Sequence, residues 1–202
     1  TKACGEKLIV AANNLSKDTR FVCIRGGNVL GTNGSVIPLF SEQIKRLNQI
    51  TVTDDRMTRF LMRVEDAIKL VLHATTNSYG GEIFVMKMPG VKITDLAEVM
   101  IKRLGNEKTK TKMIGVRPGE KVCEVLVSRY EIDHTYDIGK YFVILPTITI
   151  PGLAELYKKE KKLGNRIEEY TSKNTNLLTH KQIEDLLEKD GWFENNIQKE
   201  AI

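Results

Sequence analysis

Short runs rich in β-branched and aromatic residues alternate along this chain with longer segments of helical period, and that alternation most restricts its fold. The spacing predicts a helix over 2–15, with Leu8 and Ala12 on one face, followed by a strand in "RFVCIR" at 20–25. A helix begins near Pro38 in "VIPLFSEQIKRL", and "QITVTD" is a short strand. Val64, Ala67, Ile68, Val71 and Leu72 fall at helical spacing, and "EIFVMK" is the next strand. Thr94 is placed to cap a helix with Leu96, Val99 and Met100 inward. "KTKMIGV" is strand-like, "EKVCEVLVS" is expected to be helical, and "KYFVILPTITI" runs extended to Pro151. Strands alternating with helices imply an α/β protein.

Beyond Pro151 the composition turns polar and charged, as in a surface extension or linker. Thr179 and Gln182 then have the spacing of a capping box. Ile183, Leu186 and Leu187 follow, with Gly191 as the stop, so a small terminal helix should dock Trp192 on something apolar.

A chain of 202 residues has room for a real core. Its net charge of +5 is spread out, and the densest runs, Lys108, Lys110 and Lys112 and "KKEKK" at 158–162, read as solvated surface. Nothing in the motifs supports nucleic-acid binding. Cys4, Cys23 and Cys123 form no close pair, and two of them lie in apolar segments, which suits small buried thiols in a reducing compartment. His73, His134 and His180 lack the spacing of metal ligands. No apolar run approaches the roughly 18 residues of a membrane span, and a cytoplasmic location is expected. The opening "TKACGEKL" already lies inside a helical pattern, so the chain reads as cut from something longer.

Three stretches could carry chemistry. "RGGNVLGTNGSVIPLF", at 25–40, is a glycine loop between a strand and a helix, yet it is neither a Walker A sequence nor GxGxxG. Taken alone it is either a turn or a ligand loop. Asn28 offers an amide that can both donate and accept. In "DDRMTRFLMRVEDA", Arg56, Arg59 and Arg63 are separated by apolar residues, and an arginine fork suits phosphate oxygens as well as it suits a salt bridge to Asp54, Asp55 or Glu65. "IGVRPGEKVCE" puts Arg117 and Glu120 on either side of a Pro-Gly turn, able to grip a diphosphate and a ribose diol, or simply to lie exposed.

The order of "RGGNVLGTNGSVIPLF", "MTRFLMRVEDAI", "GGEIFVMKMP" and "RPGEKVCEVLVSRYE" closely resembles the C-terminal part of the inverting UDP-N-acetylglucosamine 4,6-dehydratases, members of the extended short-chain dehydrogenase/reductase superfamily. The resemblance covers roughly residues 1–150, and the tail "YTSKNTNLLTHKQIEDLLEKDGW" resembles an extension of some bacterial members. It implies the C-terminal part of a Rossmann-type enzyme with its smaller substrate-binding domain. Residues 1–30 would be a remnant of the NADP-binding domain, 31–150 mainly the UDP-sugar domain interleaved with the last Rossmann elements, and 151–202 a C-terminal extension with a terminal helix.

Lys2 matches the superfamily's catalytic Lys, which contacts the nicotinamide ribose and lowers the pKa of a partner Tyr that would precede residue 1. Val29 would lie beside the cofactor, which is NADP or alternatively NAD. Asn28 would contact substrate phosphate or sugar, Ser35 and Val36 the uridine, Arg59 and Arg117 the UDP diphosphate, and Glu120 the ribose hydroxyls. The implied activity is oxidation at sugar C4, loss of water across C5 and C6 and return of hydride to C6, with protonation at C5 from the opposite face. A UDP-sugar 4-epimerase shares every clamp residue, and a non-catalytic nucleotide-sugar module is the other alternative. The intact protein would be a homo-oligomer.

Overall fold

Consecutive apolar runs become strands and helices in nearly the expected order in the structure, a computed structural model that describes residues 1–164 and 167–194. In chain order the first elements are α1 (Lys2–Ala11), β1 (Cys23–Arg25), β2 (Asn28–Val29), α2 (Val36–Leu47), β3 (Gln49–Val52), β4 (Thr58–Met62), α3 (Val64–Asn77), β5 (Ile83–Met86) and β6 (Gly90–Lys92). Then come α4 (Ile93–Leu104), β7 (Lys110–Met113), β8 (Val125–Val127), β9 (Thr135–Asp137), β10 (Tyr141–Ile144), α5 (Leu153–Leu156), β11 (Lys161–Lys162), β12 (Tyr170–Thr171) and α6 (His180–Lys189). These divide into two compact units. One comprises 1–26, 65–87 and 125–171, and the other 27–64, 88–124 and 172–202.

The first unit is built on a five-stranded sheet in the order β1-β5-β10-β9-β11, parallel between β1 and β5 and antiparallel elsewhere. Phe84 and Val143 are fully buried and pack with Leu70 and Ala74 of α3 and with Leu153 and Tyr157. The polar stretch after Pro151 is therefore no mere surface extension. Leu153, Tyr157, Leu163 and Tyr170 are buried, β11 lengthens the sheet, and β12 pairs with β8.

The second unit holds a three-stranded sheet, β2-β4-β6, and the parallel pair β3-β7. Ile37, Phe40 and Ile44 of α2 meet Leu96, Val99 and Met100 of α4 in one core, joined by Ile183 and Leu187 of α6. The capping box forms as expected: Thr179 accepts from the Gln182 backbone, and the Gln182 side chain accepts from the Thr179 backbone. Trp192 packs on this core, as expected.

Three local expectations are corrected. "EKVCEVLVS" is not helical: the β-branched Val125 and Val127 join a strand whose partner, β12, comes from far along the chain. Helix α4 is capped by Lys92 rather than Thr94, starting two residues early as it leaves strand β6. Helix α3 itself forms where its spacing places it, with Leu70 and Ala74 buried and Val64, Ile68, Val71 and Leu72 exposed. Cys23 and Cys123 are half-buried and Cys4 is exposed, because the segments around the first two each show one side to solvent. Among the described residues, no helix is long and apolar enough to cross a membrane and no His/Cys/Asp/Glu group is arranged to hold a metal.

Candidate functional site

Strand β4 is the backbone of the site. Asn28 and Val29 run parallel to it, opposite Leu61 and Met62, so the glycine loop leaves the sheet beside Leu30, whose N–H donates to the Met62 carbonyl at 2.9 Å. Gly27 lets that strand approach closely: a Cβ there would sit 2.5 Å from the Phe60 carbonyl oxygen. Beyond the loop, Ser35 caps α2 with its backbone, and its side chain makes no capping hydrogen bond. Its Oγ is buried with no hydrogen-bond partner among the described residues, and a buried hydroxyl in that state suits a ligand contact. Val36 begins the helix, half-buried against the core.

Arg59, in the middle of β4, has its guanidinium on carbonyls rather than carboxylates. Nη1 donates to the Thr58 oxygen at 2.7 Å and to the Val122 oxygen at 3.2 Å, while Nη2 lies 3.1 Å from Met57 Sδ. Those acceptors fix the fork while leaving its charge unmatched by a hydrogen-bonded anion. Met57 leads onward. Thr53 Oγ1 lies 3.4 Å from both Met57 Sδ and Glu120 Oε1, and Glu120 Oε2 accepts from the Arg117 backbone N–H at 3.2 Å. Arg117 to Glu120 close a turn with a 3.0 Å backbone bond and Gly119 at φ +79, which requires glycine. The Arg117 guanidinium is exposed and has no partner among the described residues. The structure thus gathers Asn28, Arg59, Glu120 and the Arg117 turn around one strand. Arg56 instead forms a surface pair with Asp54 at 2.7 Å, the bland alternative for this arginine cluster.

Sequence reasoning passed over Glu124. Its carboxyl accepts from the Phe60 backbone N–H at 2.9 Å and takes a side-chain hydrogen bond from Asn28, with Arg59 close enough to act on it. Burial pushes its pKa up, and these three neighbours only partly counter that. Reading the segment as a helix obscured it, since an extended chain was needed to bring Glu124 under β4.

Lys2 belongs to the other unit, in the first turn of α1, and is exposed. Glu6, one turn on, could pair with it, yet both Glu6 oxygens are taken by Arg25, at 2.7 Å to Nε and 2.6 Å to Nη2. Arg25 also donates to both oxygens of Glu131 and to the Leu126 carbonyl, so all five of its N–H groups are used. Lys2 accordingly has no carboxylate partner among the described residues. A free ammonium on Lys2 is compatible with a ribose hydroxyl contact.

Residues 1–146 match the model of a family described as polysaccharide biosynthesis protein. An inverting UDP-N-acetylglucosamine 4,6-dehydratase of Campylobacter jejuni serotype O:2 is 43% identical over 151 residues, 73% of this chain and 44% of that protein. A UDP-glucose 4-epimerase of Rickettsia bellii is 39% identical over 189 residues, 93% of this chain and 55% of that one. The crystal structure of Pen from Bacillus thuringiensis superposes with a TM-score of 0.80 at 36% identity, covering 93% of this chain and 55% of its own. The chain spans about half the length of these relatives.

Proposed function

The chain belongs to the polysaccharide biosynthesis protein family, as a C-terminal Rossmann-type part of an extended short-chain dehydrogenase/reductase, and from that premise we propose that it is the substrate-binding portion of an inverting UDP-N-acetylglucosamine 4,6-dehydratase. The product would be a UDP-4-keto-6-deoxy amino sugar for bacterial surface polysaccharide or flagellar glycan, made in the cytoplasm by a homo-oligomer. The observation that carries this reading is the Arg59 fork, held by carbonyls and a thioether beside Glu120 and the free Arg117. Two diphosphate charges between two such guanidinium groups gain charge-assisted, bidentate bonds, and a carboxylate suits a ribose diol.

In this reading Asn28 orients the sugar, held in place by Glu124, and the unpartnered Ser35 hydroxyl and Val36 flank the uridine. Lys2 holds the nicotinamide ribose and, through its charge, the phenolate form of a partner Tyr. NADP bound at Lys2 would supply a hydride acceptor and donor within one turnover; NAD is the alternative.

A 4-epimerase of UDP-sugars is the second reading, favoured by the 39% identity of the Rickettsia bellii 4-epimerase over 93% of this chain. Incubating the gene's full-length product with UDP-GlcNAc and following the sugar by NMR separates them: the 4-keto-6-deoxy product supports the dehydratase, and UDP-GalNAc alone supports the epimerase. This chain holds no GxGxxG loop, and by itself it is expected to turn over neither substrate. Arg59→Ala and Arg117→Ala should each weaken UDP binding about tenfold or more, and unchanged affinity in both variants would remove the clamp.

A further inference from the structure

Helix α6 ends in a way that fixes the residue after it. Gly191, at φ +74, donates its N–H to the Glu188 carbonyl at 2.9 Å, and Trp192 donates its own to the Leu187 carbonyl at 3.0 Å. This pair of bonds is a Schellman motif, in which the second residue past the cap folds back over the last turn. Trp192 is thereby carried onto the core shared by Leu30, Ile183 and Leu187.

Its ring edge then meets the glycine loop. A Cβ on Gly31 would lie 2.9 Å from Trp192 Cζ2, so only glycine admits the indole there, and φ +75 at Gly31 demands glycine independently. The indole N–H donates to Asp190 Oδ2 at 2.9 Å, while Asp190 Oδ1 sits 3.5 Å from Nε of Arg63. Arg63 directly follows β4, the strand along which Asn28 and Val29 are laid. Asp190 therefore links both supports of the loop: the strand on one side and the indole on the other.

We propose that Trp192 is a positioning residue for the UDP-sugar loop, its indole setting the path of residues 29–35 through Gly31 and through Asp190 and Arg63. The inference rests on the reading of that loop as the substrate loop. No ligand contact by Trp192 is required; it acts by holding Asn28 and Ser35 at the two ends of a loop that contains Gly31 and Gly34, both at positive φ. Without the indole, the backbone between them samples more conformations, and that freedom must be lost again when ligand binds.

The test uses the full-length product labelled with 5-fluorotryptophan and titrated with UDP-GlcNAc, with isothermal calorimetry in parallel. The ¹⁹F resonance that disappears in Trp192→Phe is the reporter. It should shift with the same dissociation constant that calorimetry gives, and Trp192→Ala should bind about tenfold more weakly. Trp192→Phe keeps an aromatic ring on the same core and is needed only to assign the wild-type resonance, so a Trp192→Ala variant that fails to fold does not remove the result. Binding by calorimetry with an unmoved Trp192 resonance would overturn this inference and leave the proposed function standing. Absence of UDP-GlcNAc binding to the wild type would overturn the proposed function, and this inference with it.

Discussion

Replacing Arg25 with Gln should be among the most damaging single changes in the first unit. Arg25, Glu6 and Glu131 have side chains only 21%, 14% and 17% exposed, and the guanidinium supplies five hydrogen bonds to two carboxylates and a carbonyl. Gln leaves two nearly buried carboxylates without a cation, a loss of about 3–5 kcal/mol. The acid side gives a second gauge. Burial would raise Glu131, but hydrogen bonds from Arg25 and Ser128 outweigh it and bring its pKa from 4.5 to about 2. At about 1.36 kcal/mol per tenfold that is roughly 3 kcal/mol, and solvent contact brings it nearer 2. Because the folded pKa lies below the unfolded one, this stability is present above about pH 4.5 and is lost as pH falls toward 2. Urea denaturation followed by circular dichroism at pH 7, 5 and 3 reads both effects. Arg25→Gln should lower stability by at least 3 kcal/mol at pH 7 and should lose less than wild type between pH 5 and 3. A variant within about 1 kcal/mol of wild type at pH 7, with an unaltered acid slope, would refute the reasoning. The freed Glu6 could then reach Lys2 at i,i+4, but such a pair returns only about 0.3–0.5 kcal/mol and would divert the ammonium that the proposed chemistry needs.

Two further substitutions probe the hydrogen bonds of Glu82 and Glu124. The Tyr157 hydroxyl donates to fully buried Glu82 at 3.2 Å, beside the Tyr79 and Gly80 N–H groups, so Tyr157→Phe should cost about 1.5–3 kcal/mol in urea denaturation. Burial and the Glu82 charge push the phenol well above its ordinary range, so that loss should be constant from pH 6 to 9. Glu124 lies the other way from Glu131: burial raises its pKa, so its ionisation lowers stability as pH rises through the carboxylate range. Glu124→Gln removes the buried charge but leaves one acceptor oxygen for the Phe60 N–H and the Asn28 amide, so its stability relative to wild type should rise between pH 4 and pH 7 in the same denaturation series.

What the sequence makes legible here is local. The Thr179–Gln182 capping box, the inward Leu96, Val99 and Met100, and the Arg117–Glu120 turn all depend on neighbours within a few positions, where side-chain spacing decides the outcome. The features that escaped depend on distant partners. Val125–Val127 is a strand because β12 arrives to pair with it, and helical spacing within the segment carries no trace of that. Val64, Ile68, Val71 and Leu72 satisfy a helical period yet face outward, because periodicity identifies a stripe without identifying what covers it. Arg25 looks like the end of a strand; its role appears only when Glu6 and Glu131 are brought to it. Glu124 needed Phe60 and Asn28 in the same way.

The chain passes between units at Gly26–Gly27, Val64–Glu65, Lys87–Met88, Glu124–Val125 and Thr171–Ser172. A segment leaving one unit for another gives up regular pairing, so its N–H and C=O groups need side-chain partners. Ser172 supplies them: its Oγ accepts from the Glu124 N–H at 3.0 Å and lies 2.8 Å from Thr58 Oγ1, while its own N–H donates to the Glu124 carbonyl at 2.9 Å. Thr58 and Ser172 are both buried, and Thr58 immediately precedes Arg59. The Thr58 carbonyl that accepts from Arg59 Nη1 also accepts from Ser172 Oγ at 3.2 Å, so Ser172 supports one of the acceptors that hold the arginine fork.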